Sequence, residues 1–500
     1  MTFKSFNPNP PGHLRNSLLI ALGGLVAVAC AGAFWFFSQY PIDKPVVYDD
    51  AAEHFSYGSI GGDTDNGLPL RLFEVLPTVF GDLLPPGAPK DWTAFGLIQE
   101  PGHAVPVGFS QRTKLIPLIG MNCALCHTGM IRSASDTKPA VVRGMGSTTL
   151  DLGGFFGFLF HVVNDPRYQA DTLLAAMDAR APLSFVDRIL YRRVIEKFQE
   201  GLKGRQELLK PLFASDHPPF GPGRVDTFNP YKLLQHVHEY PNGLIPEEAI
   251  GTARYPSIWN QAHKRERPLN WDGNTTRVQD RNVGAAFGAG ATPESLDLAA
   301  IDRIQHWLEQ MSAPQWPFGA PAAERVARGS EIYKHYCHAC HDPAGSRMGE
   351  IVPVEEIGSD RHRLDSYTQK LNTIFLKMGE GKPWKLEKMQ KTNGYANRPL
   401  DGLWARAPYL HNGSVPTLWD LLQPEALRNG GQPTFRVGHA VYDPVNVGIR
   451  TDVAELDGRP TAEIDLRLPG NSNKGHSGPA FGTELRNEDK WALMAYMKTL

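Results

Sequence analysis

Cys123-Ala124-Leu125-Cys126-His127 and Cys337-His338-Ala339-Cys340-His341 repeat one spacing: two thiols three positions apart, with an imidazole directly after. On a single turn of chain such thiols can form thioethers to the two vinyl groups of one porphyrin, and the next residue then sets an imidazole under the iron. The chemistry implied is covalent attachment of haem c, twice, through Cys123, Cys126, Cys337 and Cys340, with His127 and His341 as iron ligands. With five cysteines and 17 histidines in 500 residues, one chance match is expected on the order of a few times per thousand such chains, and two far more rarely. A four-cysteine zinc site built from both pairs is the alternative use of the thiols. The pairs lie far outside ribbon spacing, however, and zinc does not require a histidine after each. A dithiol redox pair explains C-x-x-C but again not the two histidines.

Elements that must position these groups can be read around the second motif. A helix starting near Ala323 carries Gly329 and Tyr333, eight and four residues before Cys337, and this resembles the N-terminal helix of cytochrome c. Its crossing partner is the last helix, Glu488 to Thr499, with Asn487 as N-cap and Trp491, Ala492, Tyr496 and Met497 on one apolar face. The first motif has Leu115 and Ile119 at the equivalent offsets, so the first haem domain is the divergent one. Further helices are expected at Leu70 to Phe80, despite Pro77, and as a pair over 171–213, the first capped by Asp171. Another starts at Thr292-Pro293-Glu294, with Leu298, Ile301, Ile304, Leu308 and Met311 as its buried stripe. Three prolines between Ala313 and Pro321 mark the domain boundary.

The composition is that of an ordinary globular chain: 41% hydrophobic, 21% charged, formal net charge −2. That excludes a disordered, collagenous or polyanion-coating protein, and no nucleic-acid partner is expected. The 49 Gly and 41 Pro call for long loops on a compact scaffold. Leu18 to Phe37 is uncharged and long enough to span a bilayer. Lys4 and Arg15 precede it, whereas Asp43, Asp49, Asp50 and Glu53 follow, so the positive-inside bias leaves the bulk of the chain outside the cytoplasm. A retained single-pass anchor is preferred to a cleaved signal peptide, whose apolar region is typically about 7–15 residues, although Ala27-Val28-Ala29 and Ala31-Gly32-Ala33 resemble cleavage sites. Cys30 reads as a thiol within the membrane segment.

Several segments together resemble the di-haem cytochrome c peroxidase superfamily, and most closely its rubber-oxygenase-like branch. They are His54 to Gly61 (HFSYGSIG), Asn122 to Gly129, Gly221 to Asp226 (GPGRVD), Leu403 to Pro416 (LWARAPYLHNGSVP), Gly470 to His476 (GNSNKGH) and the final helix. The resemblance implies two facing cytochrome c-like domains, one haem open for chemistry and the other six-coordinate for electron storage. By the same resemblance Trp271, in Trp271-Asp272-Gly273, relays electrons between the haems, a core tryptophan being the plainer reading. His476 stands where the peroxidases carry a methionine, which would give a bis-histidine second haem of lowered potential, and His411 bonds the haem edge or a loop. The departures bear on mechanism. The peroxidases place an acid/base glutamate about 20 residues after the bridging tryptophan. Here Arg281 to Thr292 has no carboxylate, and Glu294 just beyond it belongs to the first turn of the next helix. No distal ligand to the first haem has positional support, although Met130, Met145 and His161 are of suitable type. The pocket is therefore expected to be apolar and acid-free.

The expected molecule is mainly α, with two cytochrome c-like haem domains. An anchor over 1–38 precedes an N-terminal haem domain over 39–318 and a C-terminal cytochrome c-like domain over 319–500. It would act as a periplasmic oxidoreductase of the inner membrane, exchanging electrons with a periplasmic donor or acceptor and acting on a small oxidant or an apolar substrate. A non-catalytic di-haem electron carrier is the alternative.

Overall fold

The computed structural model describes residues 12–269 and 271–500; Lys4, used above for orientation, lies outside them. Helix accounts for 42% of residues and strand for 12%, so the chain is mainly α with long connecting loops. Helix α1 (Gly12–Gln39) holds a 21-residue segment, Leu19–Gln39, of mean hydropathy 2.2 and wholly exposed. Its length and composition suit a membrane span or a signal segment.

Beyond α1 the chain builds a four-stranded antiparallel sheet, β1 (Lys44–Pro45), β2 (Leu68–Pro69), β3 (Phe109–Lys114) and β4 (Ile116–Met121), in the order β1-β3-β4-β2. Against it pack α2 (Ala51–Tyr57) and α3 (Leu70–Val79). Pro77 is accommodated inside α3, whose Leu72, Phe73, Val75 and Leu76 are buried. Strands β5 (Thr128–Ile131) and β6 (Ala140–Arg143) then pair antiparallel. Helix α4 (Leu152–Asn164) is capped by Asp151, which accepts from Gly154 N at 2.8 Å. Its Phe155 and Phe158 close around Trp92, whose ring stacks on Phe73 at 4.2 Å. The expected helical pair is α5 (Ala170–Arg180) and α6 (Phe185–Leu209). Gln169, not Asp171, occupies the N-cap of α5, Asp171 lying in its first turn where a carboxylate suits the helix dipole. A reciprocal Ser184–Asp187 capping box starts α6.

Helices α7 (Asn229–Leu234), α8 (Val278–Gly288) and α9 (Leu298–Gln310) follow. The start read at Thr292 is displaced. Thr292 and Ser295 satisfy each other in a turn, and Asp297 caps α9 by accepting from Ala300 N at 2.9 Å. Glu294 is therefore outside the helix and exposed. Of the stripe read on α9, Ile301, Ile304 and Leu308 are buried, while Leu298 and Met311, the latter at the C-cap, are half-buried.

In the last part of the chain α10 (Ala323–Tyr336) crosses the final helix, Asn487–Met497. A Cβ on Gly329 would lie 2.0 Å from the carbonyl oxygen of Ala492, so the crossing requires glycine there. The final helix starts at Asn487 itself, with Arg486 at the N-cap position and no side-chain cap bond. One apolar core gathers residues such as Phe55, Leu72, Phe155, Ile301 and Leu308, and takes in Tyr367, Leu371 and Phe375 from beyond the proline-rich linker. A second gathers Tyr333, Trp404, Tyr442, Leu493 and Met494, and takes in Ile131, Met145 and Trp259 from before it. The two cores thus borrow from each other across the linker.

Candidate haem centres

Both attachment motifs fold as a single turn closed in the same way: His127 N donates to Cys123 O at 3.1 Å and His341 N to Cys337 O at 2.9 Å. The supports differ. The second turn continues α10, as its sequence context implies. The first lies between β4 and β5, which belong to different sheets. Asn122 braces it, accepting from Ala124 N at 3.0 Å and donating to Gly58 O at 2.9 Å. Gly108 lies against Leu125 so closely that any Cβ would fall 2.3 Å from its Cα.

The two histidines share one further feature. His127 Nδ1 is 2.8 Å from Pro256 O, and His341 Nδ1 is 2.9 Å from Arg398 O. A carbonyl only accepts, so each Nδ1 carries the proton and each Nε2 keeps its lone pair, which is the form a metal takes. Burial pushes His127 down to about 3, with Arg281 adding to the effect, and burial also lowers His341. Both rings are thereby held neutral. The thiols are likewise held protonated by burial, Cys123 at about 11 and Cys126 and Cys337 at about 12. Among the described residues no group of three or more His, Cys, Asp or Glu converges as a metal site, so the four cysteines do not assemble a zinc tetrahedron.

Beside the first turn is a small, partly open pocket, walled by Cys123, His127, Ile258, Arg281, Asn282, Ala285, Ile301, Ile304 and Leu308. It lies between the attachment turn and the helices α8 and α9. The lining carries no carboxylate. Neither is it wholly apolar as expected, because Arg281 and Asn282 face it. Of the ligand types considered for this site, His161 is exposed on α4, while Met130 and Met145 pack into the cores. None of the three lines the pocket, and neither does Glu294.

A second small pocket adjoins the first, sharing Ile258 and Arg281, and is lined also by Gln261, Lys264 and Arg398. Burial lowers Arg281 to about 10, Arg398 to about 9 and Lys264 well below the usual lysine range. The one carboxylate facing the group, Asp401, is paired with Arg406 at 2.9 Å. Gln261 Nε2 is buried without a partner. Uncompensated cations and an orphaned amide donor beside an apolar slot suit a flat apolar group bearing anionic carboxylates. Haem c is such a group. Arg281, Lys264 and Arg398 were not legible as site residues, since isolated basic residues in a sequence are ordinarily solvated.

At the second turn His476 faces His341, with ring centres 6.2 Å apart and planes at 42°. Two imidazole nitrogens on opposite sides of one metal, each at about 2 Å, place their ring centres roughly 6 Å apart. His476 is also neutral, lowered to about 3 by burial and by His341. Its backbone is in the left-handed region, φ 48°, an unfavourable place for a non-glycine residue. The loop is held there by His476 N donating to Ile357 O at 2.8 Å and by the buried guanidinium of Arg428. Arg428 donates to the carbonyls of Asn473, Gly475 (2.9 Å) and His476 (3.0 Å). Arg428→Gln is therefore expected to lower the low-spin fraction of the second haem in the optical spectrum, with Arg428→Lys restoring part of it. Equal spectra for all three proteins would remove Arg428 from this role.

His411 is buried and turned elsewhere, with Nε2 3.0 Å from Tyr395 Oη and its ring stacked on that tyrosine at 4.3 Å. Trp271 packs with Val354, Leu364 and Tyr395 on the side of the second turn, and the guanidinium of Arg254 lies 4.6 Å and that of Arg398 5.9 Å from its ring centre. Arg398 thus touches three parts of the arrangement: the second pocket, Trp271, and His341 through its carbonyl.

Over 613 aligned positions, covering 96% of this chain and 98% of the relative, the chain is 27% identical to the uncharacterized protein y4iJ of Sinorhizobium fredii. It is 30% identical to the uncharacterized protein y4iM of the same organism over 292 residues, 49% of this chain and 63% of that protein. Residues 394–430 match the family described as RoxA-like, cytochrome c-like. This stretch contains Arg398, Asp401, His411 and Arg428, the scaffold around the second turn. Segment 394–430 is thus similar to a RoxA-like, cytochrome c-like domain, which supports the resemblance to the rubber-oxygenase-like branch of the di-haem cytochromes.

Proposed function

We propose that the protein is a membrane-anchored, periplasmic di-haem c-type cytochrome acting as an oxidoreductase, with one haem open to a small ligand and the other capped by two histidines. The observation that carries this reading is the asymmetry of two otherwise matched turns. His341 is faced by His476, whereas His127 looks onto a pocket lined by no second histidine and no methionine.

Each haem, when attached, supplies the iron redox chemistry. The chain's part is to hold, tune and shield it. At the first centre Pro256 O polarises the imidazole of His127 and strengthens it as a donor. Ile258, Ile301, Ile304 and Leu308 would keep water from the pocket, and the guanidinium of Arg281 on its wall would favour an anionic group held there, while the amide of Asn282 is spent on Gln261 and Gln305. No group in the lining is placed to deliver and take back a proton, which peroxide heterolysis requires. At the second centre His341 and His476 would hold the iron from both sides, and a haem capped in this way would suit storage and relay of an electron. Arg398 lines the second pocket and holds His341 through its carbonyl, and Trp271 packs against it, which supports Trp271 as the relay between the centres.

Titration of the reduced protein with carbon monoxide tests the reading. One molecule is expected to bind for every two haems, together with peroxide turnover slower than that of dedicated peroxidases. Absence of binding at either haem would favour the electron carrier. Fast peroxide reduction would show that a proton donor outside the lining serves the site.

A further inference from the structure

We infer that the globular body is seated directly on the outer surface of the bilayer, by an apolar patch that three separate chain segments assemble around the exit of α1. This rests on the reading of α1 as a retained anchor. Tyr40, one residue past the helix end, is hydrogen-bonded through its hydroxyl to Ser184 Oγ at 2.9 Å, and Ser184 is the N-cap of α6. The contact puts the first turn of α6 beside the point where the chain leaves the membrane. Phe185 and Ile189 on that turn are 79% and 56% exposed, four residues apart and hence on one face. The turn between β3 and β4 comes to the same place, because Leu115 N donates to Pro41 O at 2.8 Å. Leu115 at its tip is 38% exposed, and Ile42, next to Pro41, is 67% exposed.

Four large apolar side chains from the linker, a hairpin tip and a helix start are thus left in the open at one spot. A monomeric soluble surface scatters such residues singly. What covers them is identified by continuity: the apolar span ends within a few residues of Tyr40, so the boundary of the hydrocarbon region lies at the patch itself. Arg188 and Arg192, on the same turns of α6 and about half exposed, are paired with Asp178 and Asp171, so their aliphatic stems can lie along the boundary while the charges beside the patch are already balanced within the chain. The occupant is the lipid surface, and the seating fixes which faces of the body remain open to soluble partners.

The test uses the full haem-loaded chain in phosphatidylglycerol/phosphatidylcholine nanodiscs, with Cys30→Ser removing the anchor thiol and Ile189→Cys carrying an environment-sensitive fluorophore. The reference is Leu427→Cys, an equally exposed apolar position (60%) in the C-terminal part. The label at 189 is expected to emit to the blue and to be quenched severalfold more strongly than that at 427 by lipids spin-labelled near the headgroup. Phe185→Ser in the same chain should reduce that quenching. An anchored chain whose label at 189 behaves as in water, or whose two labels are quenched alike, overturns the seating alone. Recovery of the expressed full chain from the aqueous fraction with α1 already cleaved off overturns the anchor reading and the seating with it.

Discussion

Replacing His476 by glycine is expected to convert the second haem from low to high spin completely while leaving the first haem unchanged. Among the described residues one imidazole, that of His476, faces the second turn, and glycine also suits the left-handed backbone at this position, φ 48°, so the loop can survive the loss. What is removed is the donor itself. The remaining ligand, His341, keeps its Nδ1 bond to Arg398 O and its turn on α10. His411→Ala should leave the spectrum intact, because that ring is bonded to Tyr395 and does not face His341. The check is the optical and low-temperature paramagnetic spectrum of the oxidised variants. Retained low spin in His476→Gly together with its loss in His411→Ala would move the ligand to His411. A methionine-type band in the parent would move it to Met378 or Met389.

Gly329→Ala is expected to destabilise the last part of the chain by about 3 kcal/mol or more, as for severe overpacking against backbone. The added Cβ meets the Ala492 carbonyl at 2.0 Å and Tyr496 Cβ at 2.9 Å, and the first of these cannot swing aside. The helices must separate, and Tyr333, Leu493 and Met494 lose the contacts that bury them. Because α10 leads straight into the turn of Cys337, the damage should reach the second haem and spare the first. Thermal unfolding followed at each haem's own absorption should show one early transition. Unchanged unfolding would mean that the helices do not cross at Gly329.

The chemistry was more legible in the sequence than its surroundings. Cys123, Cys126, Cys337 and Cys340 with the histidines after them stand out as candidate haem-attachment motifs because covalent attachment would demand that fixed spacing along the chain. Gly329 and Tyr333 were readable for the same reason, being a fixed number of residues before a motif. His476 is different in kind: nothing local marks it, and it was placed by resemblance, with the structure then bringing its ring opposite His341. Arg281, Lys264 and Arg398 come from three separate segments and gain meaning only where the fold gathers them in a buried place with too few acids. Helix starts shifted by a few residues, as at Thr292, because several residues able to cap stand in a row and Asp297 wins by lying closer to the apolar stripe.

The central claim, two haems on one chain, is tested most directly by the intact mass of the full-length protein made in a host that matures c-type cytochromes. The account predicts the mass of the polypeptide, with or without its N-terminal segment, plus two haem groups, falling by one haem in a variant with Cys123→Ser and Cys126→Ser. The mass of the bare polypeptide, or of the polypeptide with a single haem, would contradict it.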